Sequence, residues 1–447
     1  MTNSNSLLRI FSAVLACCLV NPCDAQTQTA QEWTEFLGAD RTSEAADAAP
    51  ITKWDSSNYI WEAELPGLGW SSPVYADNKI WLTTAEVQEA DPEKIKEKRK
   101  GVQFSEMKTT AGSMELKAVC VALDTGEILH DISLAKVSDP ELINPMNSYA
   151  SPTAAIADGK VVCHFGNYGT WCLNATTGEP IWDTKYVVDH SVGPGSSPVI
   201  YQDKVILVCD GIDQQFVAAV SLSDGEEVWK TARPPMRNKN GEYQKAYSTP
   251  LMIEVGGKPQ AVIPVAQWIV SYDPNTGKEI WRVDHGEGFS LTPTPSFEDG
   301  MVVFSTGFMR PEVLGIDPTG SGDVTQSHVK WRAKNGPDMP SFLTFDGKAY
   351  FLSGKGILNC ADVATGEIVN RARIGGNYSA TPLLAGGNIY LSSREGKVTV
   401  VKADSTLEII STNKFEGQIL ATPAPVGDDL IFRVGEKLYR IGKKSAG

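Results

Sequence analysis

Residues 197–229 read SPVIYQDKVILVCDGIDQQFVAAVSLSDGEEVW, and this stretch contains the pattern that decides the fold. It begins with the step Ser197-Pro198, passes through two apolar runs separated by polar turns, and ends in the turn Asp224-Gly225 with Trp229 beyond it. The apolar runs are short and rich in β-branched residues, and Asp and Gly favour tight hairpin turns. The stretch therefore predicts a sheet of four short antiparallel strands, which we name A to D in chain order.

The same pattern recurs along the chain at intervals of about 50 residues. Each copy begins with a Ser/Thr-Pro step: Ser72-Pro73, Ser151-Pro152, Ser197-Pro198, Thr249-Pro250, Thr292-Pro293, Thr381-Pro382 and Thr422-Pro423. An eighth copy has the inverted order Pro340-Ser341. A single four-stranded sheet cannot bury both of its faces, so stacking the copies radially solves the burial problem. The sequence therefore predicts an all-β, eight-bladed β-propeller.

The ends of the chain are expected to close the ring. The eighth copy lacks an outer strand, and residues 59–65 (YIWEAEL) have the character of an outer strand that precedes the first blade. We expect this segment to complete the last blade and so to remove an exposed strand edge.

One insertion interrupts the repeat in blade 1, where residues 86–116 are in excess. Asp91-Pro92 is typical of a helix start, with Asp as the N-cap and Pro at the first helical position. We therefore expect a helical insertion between strands B and C of blade 1.

The first residues predict export. Leu7–Val20 is an apolar run too short to cross a bilayer comfortably, and the small residues Cys23 and Ala25 suit signal peptidase. The alternative is a lipoprotein signal with Cys17 as the lipid-bearing residue. We expect a periplasmic or extracellular protein with no membrane-spanning segment in its mature chain. Its expected segments are a signal peptide over 1–25, an N-terminal extension over 26–57 and a single propeller over 58–447.

The charge of the chain restricts its partners. The 54 acidic and 40 basic residues give a net charge of −14. Without a basic stripe the chain is a poor nucleic-acid binder, because neutralisation of phosphates supplies most of that affinity. We expect a monomer whose partner is an envelope protein or a glycan or peptide ligand.

The mature chain has five cysteines, an odd number that does not indicate a disulfide framework. Cys163 and Cys172 flank a hairpin around residues 166–169, and a four-residue turn there would place them opposite each other. A disulfide between them is one interpretation, and a pair of buried free thiols is the other.

The loops before strand A and between strands B and C share one end of a propeller, which we call the loop face. In this chain these loops carry aromatic and polar residues that we predict to line a central funnel: Trp70, Tyr149, His164, Tyr168, His190, Asp210, Asp213, Tyr247, Phe289, Arg310, Asn377, Tyr378 and Arg394. Such a lining suits a glycan, a peptide or a flat cofactor, since rings stack and polar groups orient the ligand. The alternative is that the aromatic residues only fill the channel.

Catalytic and metal-binding patterns are weak. Asp210 and Asp213 lie three residues apart, but Ca²⁺ needs six to eight oxygen ligands, so a role in the turn is favoured. His164 and His190 show no metal-ligand spacing and are interpreted as hydrogen-bonded loop residues. The sequence contains no GxSxG, HExxH, P-loop or CxxC motif. We therefore predict no catalytic residue and no metal ligand.

Several stretches resemble the pyrroloquinoline-quinone-like repeat β-propellers, and more narrowly the secreted planctomycete-type members. The matching stretches are residues 33–38 (WTEFLG), 147–152 (NSYASP), 193–198 (GPGSSP), 315–325 (GIDPTGSGDVT), 376–382 (GNYSATP) and 438–441 (LYRI). The resemblance covers nearly all of the mature chain and implies the propeller fold. It is less specific for function, because the repeat stabilises blades whether or not a ligand binds.

The resemblance offers two functional precedents. One is the propeller lipoprotein of the outer-membrane β-barrel assembly machinery, and the other is the group of quinone-dependent dehydrogenases. The dehydrogenases cover their quinone with a disulfide between adjacent cysteines, and here the adjacent pair Cys17-Cys18 lies in the signal. We therefore expect a non-catalytic binding module or scaffold without a cofactor. The alternative is a dehydrogenase of alcohols or sugars that uses pyrroloquinoline quinone and Ca²⁺.

Overall fold

The computed structural model describes residues 32–444 and confirms the eight-bladed propeller. Each blade contains a four-stranded antiparallel sheet whose strands A to D follow one another outwards from the axis. A short parallel strand is added beside strand A of blade 7, Glu44–Ala45, and beside strand D of blade 4, Gly322–Asp323. The predicted signal peptide, with Cys17, Cys18 and Cys23, lies outside the described residues. No helix among residues 32–444 is long and apolar enough to cross a bilayer.

The first four blades follow one another in the chain. Blade 1 consists of Val74–Ala76, Lys79–Glu89, Ala111–Ala122 and Ile128–Val137. Blade 2 consists of Ala155–Ala157, Lys160–His164, Thr170–Asn174 and Pro180–Thr184. Blade 3 consists of Val199–Tyr201, Lys204–Asp210, Gln215–Ser221 and Glu227–Ala232. Blade 4 consists of Leu251–Val255, Lys258–Pro264, Trp268–Tyr272 and Glu279–Asp284.

The last four blades continue the ring. Blade 5 consists of Ser296–Glu298, Met301–Ser305, Glu312–Ile316 and Val329–Lys334. Blade 6 consists of Leu343–Phe345, Lys348–Leu352, Ile357–Asp362 and Ile368–Arg373. Blade 7 consists of Leu383–Ala385, Asn388–Ser392, Lys397–Lys402 and Ile409–Lys414. Blade 8 consists of Ala424–Val426, Asp429–Val434, Lys437–Ile441 and, as its strand D, Tyr59–Glu64.

Blade 8 closes the ring as the sequence predicts. Its strand D comes from the start of the folded chain and pairs antiparallel with strand C, with Trp61 opposite Arg440 and Glu64 opposite Lys437. The outer edge of the last blade is therefore paired by a strand from the other end of the chain.

Short elements outside the four strands of each blade complete the fold. The predicted insertion contains the helix Pro92–Lys98, and the Asp91 side chain caps it by accepting a hydrogen bond from Glu93 N. The rest of the excess lengthens strands B and C of blade 1 beyond those of the other blades. The remaining elements are the strands Glu44–Ala45 and Gly322–Asp323 and the 3₁₀ turns Ser56–Asn58, Ser105–Met107, Gly166–Tyr168 and Gly241–Tyr243.

The segment 33–45 lies against the inner strands, at the end of the axis opposite the loop face. Its backbone pairs with strand A of three blades: Trp33 with Tyr75, Thr34 with Ile156, and Glu44–Ala45 with Leu384–Ala385. In blade 3 the Arg41 side chain donates to Ile200 O over 3.2 Å. Glu35 and Arg41 pair within the segment through two hydrogen bonds of 2.7 and 3.0 Å. Because blades 1, 2, 3 and 7 surround the axis, this segment spans that end of the channel.

A ring of hydroxyl groups joins the blades around the axis. In each blade the residue two positions before strand A is Ser or Thr, and we name this set the hydroxyl ring: Ser72, Thr153, Ser197, Thr249, Thr294, Ser341, Thr381 and Thr422. In seven of the eight junctions the backbone N–H of one member donates to the side-chain hydroxyl of the next, over 2.9–3.1 Å. The bond from Thr422 N to Ser72 Oγ closes the ring. The recurring Ser/Thr steps of the sequence therefore hold neighbouring blades together.

In two blades the hydroxyl that belongs to the ring is not the one in the Ser/Thr-Pro step predicted from the sequence. In blade 2 the member is Thr153 rather than Ser151, and in blade 5 it is Thr294 rather than Thr292. The junction between blades 4 and 5 is the exception, because the hydroxyl of Thr294 has no hydrogen-bond partner among residues 32–444. Ser248 Oγ instead donates to Pro293 O over 2.9 Å at this junction.

Tryptophans of the outer strands form a second set of contacts between blades. The indole Nε1 atoms of Trp61, Trp182, Trp229 and Trp331 donate to carbonyls in the C–D turn of the following blade, those of Leu123, Leu222, Pro274 and Val363. Gly277 must be glycine, because it has a φ of +68° and a Cβ there would lie 2.4 Å from the Trp229 ring. In blades 1 and 6 the equivalent contact is made by His130 and Asn370.

Of the two interpretations of Cys163 and Cys172, the structure contradicts the disulfide and agrees with the pair of buried free thiols. Cys163 is opposite Trp171, whereas Cys172 is opposite Val162. The two cysteines are therefore offset by one residue, and their side chains point to opposite faces of the sheet. Both are buried free thiols, as are the other three cysteines among residues 32–444.

Removing one hydroxyl of the ring tests its contribution to stability. We expect Thr381→Val to lower the free energy of unfolding by about 1–3 kcal/mol, because the buried N–H of Ser341 loses its acceptor. The measurement is urea unfolding followed by tryptophan fluorescence. Thr294→Val is the matched control, because its hydroxyl accepts no such bond, and it should leave the stability unchanged or raised. Equal losses in the two variants would contradict this role of the ring.

Candidate functional site

The predicted tyrosines of the loop face hold the loops together. Tyr149 Oη donates to Glu141 O over 2.8 Å, Tyr247 Oη to His190 O over 2.6 Å, and Tyr378 Oη to Gly375 O over 3.0 Å. All three rings are buried. Each of these phenols therefore supports a loop backbone.

The other predicted aromatic residues are partly accessible or pack on neighbours. Tyr168 is half-buried, and its Oη accepts a hydrogen bond from Glu141 N over 2.9 Å. Phe289 is buried, and Trp70 is half-buried with no partner for its indole nitrogen among residues 32–444. Ligand binding by these residues stays a prediction.

The two predicted histidines are buried in the loop face. His164 Nδ1 is hydrogen-bonded with Thr170 Oγ1 over 2.8 Å, and His190 Nδ1 has no partner in the described part of the chain. Burial lowers the pKa of His164 to about 3 and that of His190 to about 4. Both imidazoles are therefore neutral near pH 7.

Asp210 and Asp213 have separate roles. Asp210 is completely buried and forms a two-point ion pair with Arg233, over 2.7 and 3.0 Å. Burial disfavours the charged guanidinium, but the Asp210 carboxylate raises the pKa of Arg233 above its usual value. Asp213 is exposed, and its carboxylate accepts a hydrogen bond from Asp189 N over 2.9 Å. Within residues 32–444, no group of three or more His, Cys, Asp or Glu side chains is placed to hold a metal ion.

The predicted polar residues of blades 5 to 7 differ in accessibility. Arg310 and Asn377 are exposed, and Asn377 Nδ2 donates to Glu395 Oε1 over 2.7 Å. Arg394 is half-buried, and its guanidinium contacts the sulfur atoms of Met146 and Met339. Met146 precedes blade 2 and Arg394 belongs to blade 7, so this contact crosses the loop face past blades 8 and 1. The funnel predicted from the sequence is therefore crossed by side chains.

A buried cluster of charges on the loop face was not predicted. Lys108 Nζ donates to Glu242 Oε1 and to Ser191 Oγ, each over 2.8 Å, and Lys245 Nζ contacts the same two side chains. Although burial alone would raise it, hydrogen bonds from the two lysines hold the pKa of Glu242 below its usual value. The members lie up to 137 residues apart in the chain, so no local sequence signal relates them. The cluster fastens the blade 1 insertion to the loops that precede blades 3 and 4.

A row of aromatic rings continues from this insertion across the loop face. Phe104, Tyr243, Phe289 and Phe308 follow one another with ring centroids 6.4, 4.8 and 5.9 Å apart. Phe308 is 45% exposed and the adjoining Met309 is 70% exposed. We name these five residues the aromatic row. Phe289 was predicted from the sequence to line the funnel, whereas Phe104, Tyr243 and Met309 were not predicted.

Two surface cavities lie away from these residues. One of about 580 Å³ is lined by Gly376, Ser393, Glu395, Lys397, Thr412, Asn413 and Lys414. Another of about 380 Å³ is lined by Ile60, Asp429, Arg440, Lys443 and Lys444. Glu395 of the first cavity lies in the loop between strands B and C of blade 7, beside Arg394.

Comparison with known proteins identifies the repeat. A family model described as outer membrane protein assembly factor BamB matches residues 89–258 and 265–410, which is more than half of the chain. A search of curated proteins finds no match.

Solved structures share the fold at low sequence identity. BamB from Moraxella catarrhalis is 14% identical, with a TM-score of 0.59 over 87% of this chain and 98% of its own. Quinohemoprotein alcohol dehydrogenase from Comamonas testosteroni is 12% identical, with a TM-score of 0.60 over 93% of this chain and 81% of its own. The computationally designed Ika8 protein is 10% identical, with a TM-score of 0.55 over 86% of this chain and 100% of its own. An assembly factor, a dehydrogenase and a designed protein share this architecture, so the fold alone does not select a function.

Breaking the buried ion pair should destabilise the propeller. We expect Asp210→Asn to lower the free energy of unfolding by about 3–5 kcal/mol, because it leaves the Arg233 charge buried without a counter-ion. Chemical denaturation measures this loss. Asp213→Asn is the control, since its carboxylate is exposed and an amide oxygen can still accept from Asp189 N, so its effect should stay within about 0.5 kcal/mol. A small loss for both variants would show that the pair contributes little.

The buried histidines should make stability depend on pH. Unfolded histidine takes up a proton near pH 6.5 but folded His164 only near pH 3, so acidification favours the unfolded chain. We expect the wild-type chain to lose stability between pH 7.5 and pH 5, and His164→Gln to lose about 2 kcal/mol less over the same interval. Urea unfolding at the two pH values measures the difference. An identical loss in both proteins would argue against a neutral buried His164.

Proposed function

Because the chain belongs to the family described as outer membrane protein assembly factor BamB, we propose that it is an exported, non-catalytic propeller that binds an envelope protein through its loop face. The export of the chain rests on the signal peptide predicted for residues 1–25. This proposal keeps the expectation of a non-catalytic binding module, but it places the binding site on the surface of the loops rather than in a central funnel.

The aromatic row is the observation that carries this proposal. Its rings run from the blade 1 insertion to blade 5, and its end at Phe308 and Met309 is exposed. Aromatic residues and Met are enriched at the centres of protein interfaces, where they supply much of the binding energy. The exposed end of the row combines the apolar Phe308 and Met309 with the exposed Arg310, and aromatic residues, Met and Arg are the residue types enriched at protein interfaces. The row therefore favours a protein partner.

The internal contacts of the loop face also favour surface binding. Tyr149, Tyr247 and Tyr378 are buried and donate to loop carbonyls, and the Arg394–Met146 contact crosses the middle of the face. The blade 1 insertion is fixed to the loops before blades 3 and 4 by Lys108. A fixed face of this kind can bind a partner with little loss of conformational entropy.

The donor groups of the loop face do not fit the alternative, a quinone- and Ca²⁺-dependent dehydrogenase. Ca²⁺ needs several oxygen ligands, and carboxylates would have to supply most of the negative charge of that ligand set. The buried carboxylates there are Asp210, which is paired with Arg233, and Glu242, which is paired with two lysines. A cation would have to displace these positively charged partners. Residues 32–444 also contain no pair of adjacent cysteines to cover a quinone.

Photo-crosslinking from the aromatic row tests the proposal. A photoreactive amino acid at Met309 should give one discrete adduct with an envelope protein in cells that express the chain. The same amino acid at Val228, an exposed apolar position on the outer strand of blade 3, is the control and should give no such adduct. With the captured partner purified, Phe308→Ala should weaken binding about 10-fold or more.

Two outcomes would contradict the proposal. One is crosslinking that is equal at the two positions, or absent from both. The other is dye-linked oxidation of alcohols or sugars by the purified chain after addition of pyrroloquinoline quinone and Ca²⁺, which would establish the dehydrogenase instead.

A further inference from the structure

An incompletely paired arginine lies where the ring closes. Arg433 belongs to strand B of blade 8 and is 1% exposed. Its Nη1 donates to Ser71 Oγ over 2.7 Å and to Thr83 O over 2.9 Å, both in blade 1 or the segment before it. Its Nε and Nη2 are buried and have no hydrogen-bond partner among residues 32–444. One side of the guanidinium thus bonds the next blade, whereas the N–H groups of Nε and Nη2 are left without an acceptor.

The fold itself does not require a charge at this place. The register of strands A and B gives Arg433 one equivalent residue in each of the other seven blades, and none of these residues is charged near pH 7. In blade order the equivalents are Thr83, His164, Val208, Pro264, Ser305, Leu352 and Ser392. Thr83 Oγ1 donates to Pro152 O over 3.0 Å, and Ser305 Oγ donates to Pro337 O, so a hydroxyl is enough to bond the next blade. Arg433 adds a positive charge and further N–H groups to that bond.

The residues next to Thr83 and Ser71, the two partners of Arg433, carry further donors. Thr84 follows Thr83 and faces the seam between blades 8 and 1, together with Ile80 and Leu82. Its hydroxyl is buried, and so is the indole N–H of Trp70, which is next to Ser71; neither has a partner within residues 32–444. The backbone also approaches closely, because a Cβ on Gly69 would lie 2.8 Å from Arg433 Nη2.

Electrostatics make such a site attractive to an anion. A buried charge without a counter-ion carries a large desolvation penalty, which a bound ion of opposite sign offsets. Burial lowers the pKa of Arg433 to about 9, and the nearby Glu436 opposes this shift only in part. Glu436 is exposed in the turn that follows strand B. At neutral pH the guanidinium remains charged, and its Nε and Nη2 have no acceptor among residues 32–444.

We propose that the seam between blades 8 and 1 binds one small monovalent anion of chloride size between Arg433, Thr84 and Trp70, and that the anion stabilises the closed ring. Enclosure of the site selects a small ion over a phosphate or a peptide carboxylate. The site lies beside the bond from Thr422 N to Ser72 Oγ, so its occupation adds to the contacts that join the last blade to the first.

Halide dependence of stability tests this inference on the purified mature chain. Unfolding is measured in chloride and in gluconate at constant ionic strength, since gluconate is too large for the seam. Chloride should stabilise the wild-type chain in a saturable manner, and a concentration of 100 times its Kd should lower the unfolding equilibrium constant about 100-fold. Arg433→Thr is the matched variant, because Thr is the residue at the same position in blade 1, and it should lose the saturable response.

Two further measurements keep the inference open to refutation if Arg433→Thr does not fold. Thr84→Val retains the charge but removes one donor, so it should weaken the apparent chloride affinity. Crystals of the wild-type chain soaked in bromide should show an anomalous peak within hydrogen-bond distance of Arg433 Nε or Nη2. Equal responses of the wild-type chain and the folded variants to chloride, or a water in place of the bromide peak, would overturn the inference. These outcomes are independent of whether the aromatic row binds a protein.

Discussion

Seven of the eight blade junctions are held by a backbone N–H that donates to a Ser or Thr hydroxyl two residues before strand A. These donors are buried beside the axis, where an unpaired N–H would cost stability. The hydroxyl ring thereby fixes the start of strand A in each sheet. Since all inner strands start at one level, the loops that precede them emerge at one end of the axis. The loop face exists because of this constraint.

Much of the architecture could be predicted because its causes are local. The repeat of Ser/Thr-Pro steps and Gly turns indicated eight sheets, and the unpaired strand around Trp61 indicated how the ring closes. The register of single residues was harder. Ser151-Pro152-Thr153 offers two hydroxyls, and only the pairing of strand A with strand B decides that Thr153 is the one used. An offset of one residue in strand pairing likewise places Cys163 and Cys172 on opposite faces of their sheet, so that they form no disulfide.

The candidate site was predictable only in its position. The aromatic and polar loop residues do meet at one end of the propeller, but their accessibility depends on packing between distant segments. Tyr149 and Tyr378 became buried supports of loops, whereas Phe308 and Met309 stayed exposed. Contacts such as Lys108 with Glu242 join residues 134 positions apart. No spacing in the sequence could have indicated them, because the insertion that carries Lys108 has no equivalent in the other blades.

The shared construction of blade 8 has a consequence for how the polypeptide reaches its native state. Its strand D is synthesised among the first residues of the folded part and its other strands among the last, so the sheet can assemble only when the entire chain has emerged. Until then the strand around Trp61 is an unsatisfied edge, exposed to non-native pairing. Contacts of such long sequence separation form slowly. The strand around Trp61 therefore remains open to non-native pairing until strand C of blade 8 has been synthesised.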